Sequence, residues 1–231
     1  MLPVLFKIGP FNVYSWGFMV ALGFLAGLAV FINCGEREGI KKEAILDLFI
    51  YVVISAIVGA RLFYVAAFFN DYRNNLISIF YVNQGGLAFI GGLCGVIIAA
   101  LAYVKYHDLN VWKLFDAGSP ATMLGYAIGR IGCFLNGCCQ GIKLFGIEQP
   151  TQIYSSISAL IIFFILVRFY GRKKYDGQIF LLTLFFYSIY RFLLEFIRYS
   201  PVRIYNLTPN QLLVVIIFVV SSYILWKKNT T

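Results

Sequence analysis

Apolar runs of about 20 residues, each the length needed to cross roughly 30 Å of hydrocarbon, recur along the whole 231-residue chain with only short polar breaks between them. A soluble fold needs polar faces to meet water, and such runs supply none. Charged residues make up only 13% of the chain and apolar residues 61%, against about 25% charged in an ordinary soluble domain. The chain therefore reads as an all-α integral membrane protein. Its spans are predicted at about 13–33, 43–69, 86–104, 116–137, 152–170, 178–198 and 208–227. No fixed-period repeat or linker divides them, so one polytopic domain over residues 1–231 is expected. The first run, beginning near Asn12 after Lys7, is too long for a signal-peptide core and is expected to be retained.

Seven spans put the termini on opposite sides. With the N-terminus outside, eleven of the 19 Lys and Arg fall in inside segments and five outside, namely Lys7, Arg73, Lys143, Arg198 and Arg203. That asymmetry predicts N-out, C-in by the positive-inside rule. In a soluble chain the net charge of +9 would suggest a nucleic-acid partner. Here the loop positions of the charges give them an orienting role, and no nucleic acid is expected.

The remaining three basic residues, Arg61, Arg130 and Arg191, lie inside spans, where each charge costs at least about 2.5–3.5 kcal/mol unless something answers it. Tyr187, Arg191, Glu195 and Arg198 recur at intervals of four, four and three, which places them on one helical stripe. Arg191 and Glu195 could form a structural ion pair, but one carboxylate cannot neutralise Arg191, Arg198 and Arg130 together. Surplus guanidinium groups suit an anion, and they bind phosphate through paired charge-assisted hydrogen bonds. In a bilayer the abundant anion is a phospholipid head group; a soluble phosphorylated substrate and an ion pathway stand as alternatives. The single histidine, His107, reads as a solvated loop residue.

The stretch from Asp116 to Gly141 holds Gly118, Gly125, Gly129, Gly132, Gly137 and Gly141 together with Pro120. Interior glycine costs up to about 1 kcal/mol relative to alanine in a helix, so this fourth span is expected to be irregular. Irregular backbone at membrane depth must line a cavity. Arg130 and Asn136 would then be pocket residues, with Gly132, Gly137 and Gly141 admitting a ligand close to the backbone. A second glycine-dense stretch, Gly85 to Gly95, follows Asn83 and Gln84. Pairs such as Gly23 and Gly27, or Ser55 and Gly59, have the spacing that lets membrane helices approach closely. Cys133, Cys138 and Cys139 match no familiar zinc spacing and read as free thiols; no metal or organic cofactor is indicated.

Gly129-Arg-Ile-Gly-Cys-Phe-Leu-Asn-Gly-Cys-Cys-Gln-Gly141 resembles the signature G-R-x-G-x-F-x-N-G-x-x-x-G of the prolipoprotein diacylglyceryl transferases. Asp116 to Pro120, Gly59-Ala-Arg-Leu-Phe-Tyr64, Gly85 to Gly95, Pro150-Thr-Gln-Ile-Tyr154, Tyr187 to Arg198 and Leu207-Thr-Pro-Asn-Gln211 match in the family's order. The resemblance implies a bacterial inner-membrane, multi-pass enzyme acting on phosphatidylglycerol and preprolipoprotein signal peptides. It would transfer an sn-1,2-diacylglyceryl group to the lipobox cysteine thiol, form a thioether and release glycerol 1-phosphate. Arg130 matches the signature arginine at the phosphatidylglycerol head group, and Arg191 a second essential arginine with Tyr187 and Glu195 beside it. Asn136, Gly141, Arg61 and Arg198 complete the expected lipid-binding set. The chain departs from the family at Ile90, where a histidine or tyrosine is usual, and at Cys133, Cys138 and Ser155, which replace polar or acidic residues. A divergent paralogue with another acceptor, or a non-catalytic phospholipid-binding protein, is the competing reading.

Overall fold

The computed structural model describes residues 2–8, 11–73, 75–81, 85–144, 146–199 and 207–230. Arg203, Asn83 and Gln84, used in the sequence reading, lie outside the described residues. A hairpin of β1 (Val4–Ile8) and β2 (Phe11–Tyr14) leads into α1 (Ser15–Arg37), followed by α2 (Lys42–Ala67), the short α3 (Phe69–Tyr72) and a 3-10 turn over Leu76–Phe80. Then come α4 (Phe89–Tyr106), α5 (Val111–Asn136), strands β3 (Lys143–Leu144) and β4 (Ile147–Glu148), α6 (Thr151–Tyr170), α7 (Gln178–Glu195) and α8 (Pro209–Thr230). A long helix meets each predicted span. Five of them, α1, α2, α6, α7 and α8, are long and apolar enough to cross a membrane among the described residues.

The expected irregularity of the fourth span is not found. Val111–Asn136 is one continuous helix through Gly118, Pro120, Gly125, Gly129 and Gly132, and the break comes at Gly137, whose φ of +76° is left-handed. At Gly125 and Gly132 packing overrides propensity, because the neighbouring α1 comes close there. A Cβ at Gly23 of α1 would lie 2.9 Å from the Gly125 carbonyl oxygen, one at Gly27 would lie 3.2 Å from that of Ala121, and one at Gly132 would lie 2.9 Å from Met19 Cβ. In lipid, helices associate through such close van der Waals contact. Beside Pro120, the Ser119 and Thr122 hydroxyls donate to the Phe115 and Gly118 carbonyls at 2.6 and 2.8 Å.

The residues group into two compact units, one of Met1–Cys34 with Trp112–Thr231 and one of Gly35–Val111. The core of the first is Cys34, Ala117, Met123, Ile162, Leu166, Tyr170 and Ile179, drawn from α1, α5, α6 and α7. One end of this unit is tied by Asp116, fully buried, which accepts from the Gly177 and Phe180 backbone N–H groups at 2.8 and 2.9 Å and pairs with Lys173 at 3.2 Å. Asp116 thus caps α7 from the neighbouring α5, where the first-turn N–H groups and the helix dipole favour a carboxylate. At the other end the chain after α5 meets the chain after α7 in a bridge between Gly141 and Arg198, and the Leu2 N–H donates to the Leu135 carbonyl at 3.0 Å.

In the second unit α2 and α4 pack on small residues. A Cβ at Gly59 would fall 2.5 Å from the Gly91 carbonyl oxygen, and one at Gly95 would collide with that of Ser55. The spacing-of-four pairs read from the sequence therefore serve helix packing.

Candidate functional site

Tyr187, Arg191 and Glu195 form the expected stripe on α7, while Arg198 lies beyond the helix end, in the bridge to Gly141. Glu195, 2% exposed, is ion-paired through Oε2 with Arg191 Nη2 at 3.1 Å, with Arg198 Nη1 at 3.9 Å from the same oxygen. Its Oε1 accepts from Asn210 Nδ2 at 3.3 Å. Asn210 is delivered by a capping box at the start of α8. The Gln211 N–H donates to Thr208 Oγ1 at 3.2 Å, and the Thr208 N–H donates to Gln211 Oε1 at 2.9 Å. Glu195 is thereby the shared counter-ion of two arginines, and its position is fixed from α8.

Arg130 has no such counter-ion. No ion pair joins it to a carboxylate among the described residues; its guanidinium sits over the Tyr126 ring, 4.8 Å from the centroid. Tyr126 and Arg130 are one helical turn apart on α5, so the ring is a platform for the charge. The Tyr190 hydroxyl donates to the Tyr126 hydroxyl at 2.8 Å, joining α7 to α5. Tyr187 packs edge-on against both rings, 6.4 Å from Tyr126 and 5.2 Å from Tyr190. It lies within electrostatic reach of both Arg130 and Arg191. Two guanidinium groups, one without a carboxylate, thus flank a tyrosine cluster between two helices. That is an arrangement suited to an anion in a low-dielectric setting.

After Gly137 the chain turns back. Cys139 is held at φ +62°, while Thr151 Oγ1 donates to its carbonyl at 2.8 Å and Gln152 Nε2 donates to that of Cys138. This segment, with Gly141, Lys143, Glu148, Arg198 and Tyr199, lines an open cavity of about 520 Å³. Gly141 borders that cavity, but a Cβ there would come within 2.6 Å of the Ile197 carbonyl oxygen and 2.8 Å of Thr151 Cγ2. Glycine is required at this position by the protein's own backbone. Gly132 faces α1 and so admits protein where the sequence suggested a ligand, and Gly137 ends α5 in a left-handed conformation. Asn136 is the last residue of α5 and is exposed.

Arg61 has a different occupation from the one expected. It belongs to the other unit, and its guanidinium donates to the carbonyls of Ile79, Gly85, Gly86, Ser78 and Tyr81 at 2.7, 2.8, 3.0, 2.7 and 3.4 Å. Consecutive left-handed glycines, with φ +86° and +74° at Gly85 and Gly86, turn two of those carbonyls toward it. A guanidinium has five N–H groups, so Arg61 organises a loop and keeps none for a phosphate. Ile90, in the same unit, is 61% exposed.

Of the residues singled out from the sequence, Arg130, Tyr187, Arg191 and Glu195 come together. Arg198 touches Glu195 and, with Gly141, lines the open cavity. Asn210, Tyr126 and Tyr190 were missed. The Thr208-x-x-Gln211 pattern could have signalled the first, and the helical spacing of Tyr126 from Arg130 the second.

The fold defines a multi-helix membrane protein in which Arg130, Arg191 and Glu195 gather around a tyrosine cluster. The model of the family described as prolipoprotein diacylglyceryl transferase matches residues 3–227, and the chain belongs to that family. Three similar proteins bear the name phosphatidylglycerol–prolipoprotein diacylglyceryl transferase. That of Clostridium kluyveri is 35% identical over 231 aligned residues, covering 91% of this chain and 90% of the relative. That of Bacillus cytotoxicus is 34% identical, covering 94% and 90%, and that of Finegoldia magna is 34% identical, covering 94% and 91%.

Proposed function

We propose that this chain is a phosphatidylglycerol–prolipoprotein diacylglyceryl transferase of the bacterial cytoplasmic membrane, carrying out the first step of lipoprotein maturation. It would work as a single membrane domain with seven spans, the N-terminus outside and the C-terminus inside. The observation that carries the reading is Arg130, a half-buried guanidinium with no carboxylate partner among the described residues, linked to the helix of the Arg191–Glu195 pair through Tyr126 and Tyr190. Arg130 and Arg191 would grip the lipid phosphate, with Asn136, Gly141 and Arg198 on the head-group side.

In the reaction the lipobox sulfur forms a bond to the terminal glycerol carbon of the diacylglyceryl group. The carbon–oxygen bond to phosphate breaks, and glycerol 1-phosphate leaves with that bond's electrons. Negative charge grows on the phosphate as the bond breaks, so fixed guanidinium groups favour the transition state over the bound lipid. The thiol proton passes to water, because a free cysteine with a pKa near 8.5 supplies some thiolate and Glu195 is committed as counter-ion. This route needs no base at the Ile90 position.

The test is to deplete a host of its own transferase, express this chain and follow a model prolipoprotein by mass spectrometry. A diacylglyceryl mass gain that disappears with Arg130→Ala is expected. No gain, with the protein verified in the membrane, would turn the reading to the competing lipid-binding one.

A further inference from the structure

The two arginines stand on different helices, so their spacing must be set by whatever joins α5 to α7 at that level. The hydroxyl-to-hydroxyl bond between Tyr126 and Tyr190, at 2.8 Å across 64 residues of sequence, is such a connection. Tyr126 is the ring on which the Arg130 guanidinium rests, 4.8 Å from its centroid, and Tyr190 is the residue before Arg191. The rings of both pack edge-on against Tyr187. A phenol in the half-buried wall of a membrane protein finds few competing water partners, and a bond there holds its geometry.

We propose that Tyr126 and Tyr190 are positioning residues. Their hydroxyl pair is a strut that fixes the Arg130 platform against α7, so that Arg130 and Arg191 close on one phosphate. The proposal rests on the transferase reading for its substrate. The strut acts through Arg130 and touches no reacting atom. It therefore affects how the lipid phosphate is held and leaves acceptor recognition alone. Misplacing a binding group by about 1 Å can cost up to about a hundredfold, and tyrosine-to-phenylalanine exchange removes the strut while keeping the ring under Arg130.

The experiment uses the purified full chain in mixed micelles of phosphatidylglycerol with a lipobox peptide, comparing Tyr126→Phe, Tyr190→Phe and the double variant. Each single variant is expected to lower kcat/KM for phosphatidylglycerol by about tenfold, chiefly through KM, with the peptide KM unchanged. The double variant is expected to be no worse than either single one, because the bond is lost once. Wild-type KM values in the single variants, losses that multiply in the double, or an equal rise in the peptide KM would each overturn the strut. If one variant does not fold, the other carries the same expectation.

Retention of phosphatidylglycerol against diacylglycerol, read by native mass spectrometry, separates this proposal from the function it rests on. A wild type without transfer activity refutes the transferase reading. Retention then decides the strut: preferential phosphatidylglycerol retention that Tyr190→Phe lowers about tenfold supports it, and equal retention in both proteins, or no preference in the wild type, overturns it.

Discussion

Three guanidinium groups lie within the predicted spans, and each is answered differently: Arg61 by five carbonyls, Arg191 by Glu195, Arg130 by the face of an aromatic ring. The substitutions should separate accordingly. Arg61→Ala leaves five part-buried loop carbonyls without this donor, and a loss of about 3 kcal/mol is expected, visible as a lowered thermal midpoint of the purified protein. Glu195→Gln keeps the shape but removes the charge that Arg191 and Arg198 share. Transfer is expected to fall at least about a hundredfold, since the arginines then lose their common anchor, as a rate assay with micellar phosphatidylglycerol would report. Asn210→Ala removes one hydrogen bond from the same carboxylate; a loss of about fivefold in rate is the scale of about 1 kcal/mol, and a full-rate variant would show that Glu195 needs no help from α8.

At the scale of the elements, the helices follow from apolar length, and the Tyr187, Arg191 and Glu195 stripe on α7 follows from spacing within one helix, which ends before Arg198. Both were legible because they are local. The continuity of α5 was not, since its glycines cost helix propensity and only the approach of Gly23 and Met19 from α1 shows why Gly125 and Gly132 are there. The Tyr126–Tyr190 bond and the engagement of Asn210 with Glu195 join residues on different helices, and no periodicity in one segment encodes such pairs. Arg61 was misread for the same reason, because its partners are backbone atoms, which carry no sequence signal. Two substitutions probe the elements. Gly132→Leu drives a side chain into Met19 and Trp16, and a destabilisation of about 2 kcal/mol from overpacking is expected, read as a lower unfolding midpoint in detergent. Asp116→Ala takes the cap from α7 and removes one of the two carboxylates that Lys173 meets, leaving Asp176. A loss of about 3 kcal/mol should appear as early hydrogen exchange at Gly177 and Phe180.

Across the whole chain, the basic residues fall mostly in segments assigned to the inside, and the arginine site lies toward the ends of α5 and α7 assigned to the outside. Reporter fusions should therefore find the end beyond Lys228 in the cytoplasm, and a periplasmic reading there would reverse the proposed topology. Within the larger unit, Asp116 holds α5 to α7 at one end and the Gly141–Arg198 bridge joins their continuations at the other. Two rods fastened at both ends cannot slip past one another. Removing a single residue between Asp116 and Tyr126 would turn Tyr126 and the guanidinium above it about 100° and draw them back about 1.5 Å, away from Tyr190 on α7, with no loop between them to absorb the change. The length of α5 is thus itself a ruler for the site, and variation in this protein is expected to accumulate in its connections while the residue count from Asp116 to Arg130 stays fixed.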